Sequence, residues 1–237
     1  MSTFVLVHGA WHGGWCWNKI VARLEAKGHS VFAPDMPGHG TDRTPIEDVT
    51  MDSIVAKMAG VIDRAKEPVV LVGHSYGGAV ITATGEACAD KVRALVYVAA
   101  FVVPNGKSTM ELSQDDTGND LGGNIVFAED GKSATANPAV LKQVFYGQCA
   151  DDDIALARML LVPEALQGFQ ATIATTGARW GKLPKFYVEC VRDRAISIGQ
   201  QRRMQPYGPC EKIFTLDTDH SPFFSTPDPL TDILSRI

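Results

Sequence analysis

A serine with a glycine two residues to either side, in Gly73-His74-Ser75-Tyr76-Gly77-Gly78, is the feature of this sequence best suited to chemistry. It directly follows the apolar run Val69 to Val72 and precedes the helix-compatible run Ala79 to Thr84, which puts Ser75 on a tight strand-to-helix turn. Such a turn crowds its own backbone, so small residues are required on both sides of the serine. The helix that opens there aims backbone N–H groups and the positive end of its dipole at any anion formed beside Ser75. The pattern points to a nucleophilic serine, with the Tyr76 N–H as one oxyanion donor.

A serine hydroxyl is a weak nucleophile and needs a positioned base, and on this strand-turn-helix plan the partners follow in the order Ser, acid, His. Five of the six histidines, His8, His12, His29, His39 and His74, precede Ser75, and only His220 follows it. The acid belongs just past the penultimate strand, because the sites of open α/β sheets gather at the carboxyl ends of the strands. Asp193, after the strand-like Phe186 to Val191, fits that place. Glu189 lies inside the strand, Asp217 and Asp219 are close in sequence to His220, and Asp217 is the next choice. The second oxyanion donor is expected from the glycine-lined loop Val7 to Trp15, with the Ala10 N–H as the candidate.

The elements that must position these residues are legible as alternating β-rich and amphipathic stretches, the pattern of βαβ units around a mainly parallel sheet. Strands are expected at Phe4 to His8, Ser30 to Ala33, Val69 to Gly73, Ala94 to Ala99, Lys185 to Val191 and Lys212 to Leu216. Trp17, Ile20, Val21 and Leu24 mark one helix face, and Met51, Ile54, Val55, Met58, Val61 and Ile62 a second, with Thr50 as its N-cap. Further helices are expected after Ser75, over Ser197 to Gln205 and after Pro227. The alternation breaks between Pro104 and Leu183, so the chain reads as a core of residues 1–103 and 184–237 carrying an inserted cap at 104–183. The Asp151 to Asp153 run reads as a solvated helix start, and no metal site is expected.

Composition narrows the function classes. The 237 residues, 45% hydrophobic and 21% charged, suit a globular protein with a full core, most simply one domain. A net charge of −5 without Lys or Arg runs argues against nucleic-acid binding. The five scattered cysteines form no C-x-x-C pair, which fits a reducing cytoplasm, and neither a secretory leader nor a bilayer-length apolar run is read. The loops at Gly9 and Gly38 lack the dinucleotide and Walker patterns, so no nucleotide or other cofactor is implied.

Taken together, several ordered segments resemble the plant methylesterase and hydroxynitrile lyase group of α/β-hydrolases and its bacterial esterase relatives. They are Val5 to Ala10 with His12 to Trp15, Pro34 to Gly40, the Ser75 turn, Val96 to Phe101 and Tyr187 to Asp193. The resemblance implies an α/β-hydrolase fold, a Ser75-His220-Asp193 triad, an oxyanion hole from Ala10 and Tyr76, and no cofactor. The expected activity is serine-dependent hydrolysis of small esters, with lactones as an extension and a homodimer left open. Two other readings are carried: cyanohydrin cleavage, and a ligand-binding receptor on a hydrolase fold. Against cleavage, the family's lyases carry a lysine after the catalytic histidine and a threonine in the first loop, where this chain has Ser221 and Gly9. Candidate substrate contacts are Gly9, Trp11, His12, Phe101, Phe145, Trp180 and Ser221. An apolar pocket is expected from cap residues among Phe127, Phe145, Tyr146, Met159, Phe169 and Trp180.

Overall fold

The computed structural model describes all residues, 1–237. Nine strands run β1 (Thr3–Val7), β2 (Ser30–Phe32), β3 (Val69–His74), β4 (Val92–Val98), β5 (Ile125–Phe127), β6 (Ser133–Ala136), β7 (Glu164–Ala165), β8 (Lys185–Cys190) and β9 (Lys212–Leu216). Six of them form one parallel sheet in the order β2-β1-β3-β4-β8-β9. Its central strands β1, β3 and β4 are almost wholly buried, as continuous Val/Leu-rich runs covered on both faces must be. Their register sets Val5 beside Leu71 and Leu71 beside Leu95.

Strand order reverses between β1 and β3. From β1 the chain moves outward to β2, then returns to build the other half of the sheet from β3. The loops leaving β1 and β3 therefore diverge and open a crevice at the carboxyl edge, where ligands of such sheets bind. The Ser75 turn and the Gly9–Trp11 loop are the two walls of that crevice.

Helices α1 (Asn18–Ala26), α2 (Met51–Ile62) and α3 (Gly77–Ala87) belong to the first half of the chain. In α2 Thr50 is the expected N-cap: its side chain accepts from the Ser53 N–H while the Ser53 hydroxyl accepts from the Thr50 N–H. The helix buries Met51, Ile54, Met58, Val61 and Ile62. Between β4 and β8 the chain leaves the sheet and forms an insert with α4 (Thr109–Gln114), α5 (Leu141–Phe145), α6 (Asp151–Leu160) and α7 (Leu166–Gln170) around the antiparallel sheet β5-β6-β7. Asp151, Asp152 and Asp153 do open α6, complementing its dipole, and Asp153 also pairs with Lys19 at 2.7 Å. The chain ends with α8 (Ile198–Met204), α9 (Pro222–Ser225) and α10 (Pro227–Leu234). The expected strands are present with ends shifted by a residue or two, and α8 starts after an N-cap at Ser197.

Candidate active site

Ser75 adopts φ +54°, a left-handed conformation that non-glycine residues rarely take, on the turn between β3 and α3. Its neighbours explain how the turn closes. A Cβ on Gly73 would lie 2.4 Å from the Gly77 carbonyl oxygen, and one on Gly77 would lie 2.6 Å from that of Val7 and 2.7 Å from that of His8. The Ser75 N–H donates to the Val98 carbonyl at 3.3 Å, and its own carbonyl accepts from Gly78 N–H and Phe101 N–H at 3.0 and 3.1 Å. Backbone bonds on both sides thus hold the strained serine against the end of β4, the segment after it and the first turn of α3.

Asp193 and His220 meet as a buried pair, Asp193 Oδ2 to His220 Nδ1 at 2.7 Å, with side chains 0 and 1% exposed. The carboxylate is fixed on every side: Oδ1 accepts the Ala195 and Ile196 N–H groups at 2.7 and 2.9 Å, and Oδ2 also accepts from Gln201 Nε2 at 3.0 Å. Burial pushes the Asp193 carboxyl up, against the opposing pull of His220 and those N–H groups. The His220 carbonyl accepts from His74 Nε2 at 2.7 Å, which ties the histidine loop to the residue before Ser75. No hydrogen bond joins Ser75 Oγ to His220 in this structure; in sites without substrate that bond is commonly long. The alternative acid, Asp217, is 67% exposed and engaged by Arg192 at 2.6 Å, and Glu189 is held by Arg202 at 2.8 Å.

Ala10 and Tyr76 are buried residues, and neither backbone N–H makes a hydrogen bond within the protein. Buried N–H groups are nearly always paired, so two unused donors flanking one serine are a functional signal. The loop carrying Ala10 is held by His12, whose Nδ1–H donates to the Ala10 carbonyl at 2.8 Å while its Nε2 accepts from the Tyr146 hydroxyl at 2.7 Å. Burial lowers the His12 pKa to about 4, so the ring is neutral in that bridge.

Two cavities adjoin the first loop, and Trp11 lines both. The one that opens on Ser75, about 780 Å³ including its open mouth, contains Ser75, Ala10, Trp11 and Phe101, with Leu121, Ile125, Phe127, Leu166 and Phe169 from the insert. The second is lined by Trp11, His12, Phe145 and Tyr146. Phe145 lines the second cavity alone, its ring 5.8 Å from that of Trp11 and 5.6 Å from that of His220.

Several expected substrate contacts lie elsewhere. Trp180 lines neither cavity: its Nε1–H donates to the Tyr97 hydroxyl at 3.0 Å, and its ring sits 4.3 Å from Lys185 Nζ, at the start of β8 and the opposite edge of the sheet. Met159 is 80% exposed on α6. Ser221 is fully buried outside both cavities, its hydroxyl unpaired. Gly9 leaves no open space, because a Cβ there would lie 2.8 Å from Ser75 Cβ; the glycine permits close approach of loop and nucleophile.

Trp11, expected as a substrate contact, is also the centre of a bonded cluster with Glu164 and His39, two residues that sequence reasoning missed. Trp11 is left-handed at φ +65°, a conformation costing about 1–3 kcal/mol in a bulky residue. Its N–H donates to Glu164 Oε2 at 3.1 Å, its indole N–H to the Ala134 carbonyl at 2.8 Å, and its carbonyl accepts from Val162 N–H at 3.0 Å. Glu164 Oε2 also meets His39 Nε2 at 3.0 Å, both residues being buried. His39 Nδ1 donates to the Pro37 carbonyl at 2.9 Å. With Nδ1 donating to Pro37, Nε2 can donate to Glu164 only in the protonated ring, the form that the adjacent carboxylate favours. Burial draws the His39 pKa down, but the charge and hydrogen bond of Glu164 outweigh it and hold the ring above the ordinary histidine range.

Residues 4–233 match the alpha/beta hydrolase family. Methylesterase 7 of Arabidopsis thaliana is 31% identical over 99% of this chain and 95% of its own length, and salicylic acid-binding protein 2 of Nicotiana tabacum 32% over 99% and 96%. The putative chloroplastic methylesterase 11 of Arabidopsis thaliana is 31% identical over 99% of this chain, which spans only 63% of that relative. Among solved structures, methylesterase MES16 from Arabidopsis superposes with a TM-score of 0.86 at 27% identity, covering 100% of this chain and 98% of its own. A pyrethroid hydrolase from Sphingobium faniae JZ-2 gives 0.86 at 25% identity, covering 99% and 96%. With its parallel sheet, its Ser75 turn and a match across nearly its whole length, this chain belongs to the α/β hydrolase family.

Proposed function

We propose that this protein hydrolyses small carboxylic esters through an acyl-enzyme formed on Ser75. In the first half-reaction Ser75 Oγ attacks the ester carbonyl, His220 Nε2 takes the hydroxyl proton, and the Ala10 and Tyr76 N–H groups hold the tetrahedral oxyanion. His220 then returns the proton to the departing alcohol. Water, deprotonated by the same nitrogen, attacks the acyl-enzyme and releases the acid. Asp193 keeps the His220 Nδ1–H in place and stabilises the imidazolium. The observation that carries this reading is the strained Ser75 turn with two unused backbone donors beside it and a buried Asp193–His220 pair tied to its neighbour His74.

The insert acts in this reading as a cap over the site, and its apolar lining favours a hydrophobic acyl or alcohol group. Lactones fit the same chemistry, with the alcohol staying attached to the acyl group. Cyanohydrin cleavage would need a cation to meet the cyanide leaving group, and the residue after His220 is the neutral, buried Ser221. No helix is long and apolar enough to cross a membrane, and the unpaired cysteines favour a reducing compartment such as the cytoplasm. The test is Ser75→Ala against a series of aryl and alkyl esters. Turnover should fall by about 10⁴-fold or more, and a fluorophosphonate should label the native protein alone. Undiminished turnover in the alanine variant would remove Ser75 from the reaction.

A further inference from the structure

We infer that Glu164 of the insert is a positioning residue for the oxyanion hole: it holds Trp11 in the left-handed conformation that aims the neighbouring Ala10 N–H at the site. The inference rests on the esterase reading above and goes beyond it by giving the insert a part in the chemistry as well as in specificity.

Ala10 and Trp11 are adjacent in one tight loop, yet their N–H groups have opposite fates. That of Ala10 stays unpaired beside Ser75, whereas that of Trp11 is taken by Glu164 Oε2. A peptide plane is rigid, so the conformation at Trp11 fixes where the loop carrying Ala10 can lie. Locally the loop is closed by a long bond from the His12 N–H to the Gly9 carbonyl at 3.4 Å and by the His12 ring on the Ala10 carbonyl, and neither engages a polar group of Trp11. Trp11 is not a glycine, and its N–H, indole N–H and carbonyl are all bonded to the insert, at Glu164, Ala134 and Val162. Only the Glu164 bond involves a charge, and charge-assisted bonds are the stronger kind.

Glu164 is itself fixed. Its Oε2 is locked between the Trp11 N–H and His39 Nε2, and His39 is locked in turn by the Pro37 carbonyl, while Oε1 has no partner. The other ionisable groups sensing this pair are Asp35, His8 and His12 on the His39 side and Tyr76 on the Glu164 side. A buried carboxylate with a cationic histidine behind it is thus committed to one backbone N–H of the oxyanion loop. Without it, the tryptophan relaxes toward negative φ and the Ala10 donor turns away from the developing charge.

The experiment compares Glu164→Ala, Glu164→Gln and Ser75→Ala by ester kinetics and by inhibition with an alkyl trifluoromethyl ketone, whose adduct with Ser75 carries an oxyanion. Loss of one oxyanion donor costs on the order of 10²–10³ in kcat, and a misaimed one is expected to cost Glu164→Ala at least about tenfold, with KM within about twofold. The ketone Ki should rise by the same factor. Glu164→Gln, which keeps an acceptor for the Trp11 N–H, should retain most of kcat. In a Trp11→Gly background, where glycine takes the left-handed conformation unaided, Glu164→Ala should cost less than about threefold. That double-variant comparison and the glutamine variant decide the matter if Glu164→Ala alone does not fold. An unchanged kcat in folded Glu164→Ala, an effect confined to KM, equal losses in the alanine and glutamine variants, or an undiminished cost in the Trp11→Gly background would each overturn the inference. Activity surviving Ser75→Ala would instead overturn the esterase reading beneath it.

Discussion

Two left-handed residues face each other across the crevice, Ser75 after β3 and Trp11 after β1, and they are held by different means. The Ser75 turn is closed largely by its immediate neighbours, through glycines 73 and 77 that let the backbone pass within contact distance of itself and of β1. The Trp11 turn is held from 123 and 153 positions away in the chain, by Ala134 and Glu164. One wall therefore rests on a short motif seated on the β4 end through Val98 and Phe101, and the other adds to its local His12 bonds three bonds from the insert to Trp11. Local strain of the first kind survives loss of distant contacts, whereas strain of the second kind is as stable as the interface that imposes it.

The largest effect expected from testing this contrast comes from the third wall, the Asp193–His220 pair. Asp193→Asn keeps the size of the side chain but places an amide opposite His220 Nδ1, favouring the wrong tautomer. A loss of about 10⁴-fold in kcat is expected, with the melting temperature little changed. Asp217→Asn, which disturbs only an exposed pair with Arg192, should leave kcat within about twofold. The reverse ranking would make Asp217 the acid. Gly77→Ala probes the local wall next. Its methyl group would press on the Val7 and His8 carbonyls, so a loss of about 3 kcal/mol in stability is expected together with most activity, and an active, fully stable variant would show that the turn has room.

What the sequence made legible follows the same division. Ser75, Asp193 and His220 could be picked out because a five-residue pattern, strand ends and chain order suffice to nominate them. Gly73 and Gly77 could be read because steric exclusion acts between near neighbours. The Glu164–His39–Trp11 bonds leave no local trace: an acid in Val162-Pro163-Glu164 looks like any loop carboxylate until folding carries it across the crevice. Gln201, which completes the Asp193 shell, sits inside an ordinary helix pattern. Trp180 was misplaced for a physical reason: a buried indole goes where its N–H finds a partner, and that partner, Tyr97, lies away from the site. Gly9, expected as a substrate contact, instead lets the first loop and the nucleophile touch.

The smallest expected effect concerns the histidines packed behind both walls. His8 and His74 are held well below the ordinary histidine pKa, by burial first and then by the nearby histidines, and His12 is lowered to about 4, mainly by burial. Their bonds explain the neutrality: His8 Nε2 accepts from the Met36 N–H at 3.0 Å, and His12 Nε2 from Tyr146. A base whose folded pKa is depressed contributes stability that is present above its unfolded value near 6.5 and is lost as pH falls toward the folded value. For His12 the loss between about pH 6.5 and 5 is roughly 2 kcal/mol, and His8 and His74 add losses of the same sign. His39 acts in the opposite sense, because its raised pKa favours the fold on the acid side, but it is one group against three. Asp193, raised by burial, also favours the fold on the acid side. The melting temperature should therefore fall by about 5–15 °C between pH 7 and pH 5, at about 2–4 °C for each kcal/mol in a chain of this size. His12→Gln, which keeps an acceptor for Tyr146 but cannot be protonated, should make that slope shallower. A melting temperature that holds steady or rises over this interval would mean that these rings are charged in the folded protein, and the neutral His12 bridge between the insert and the oxyanion loop would have to be abandoned.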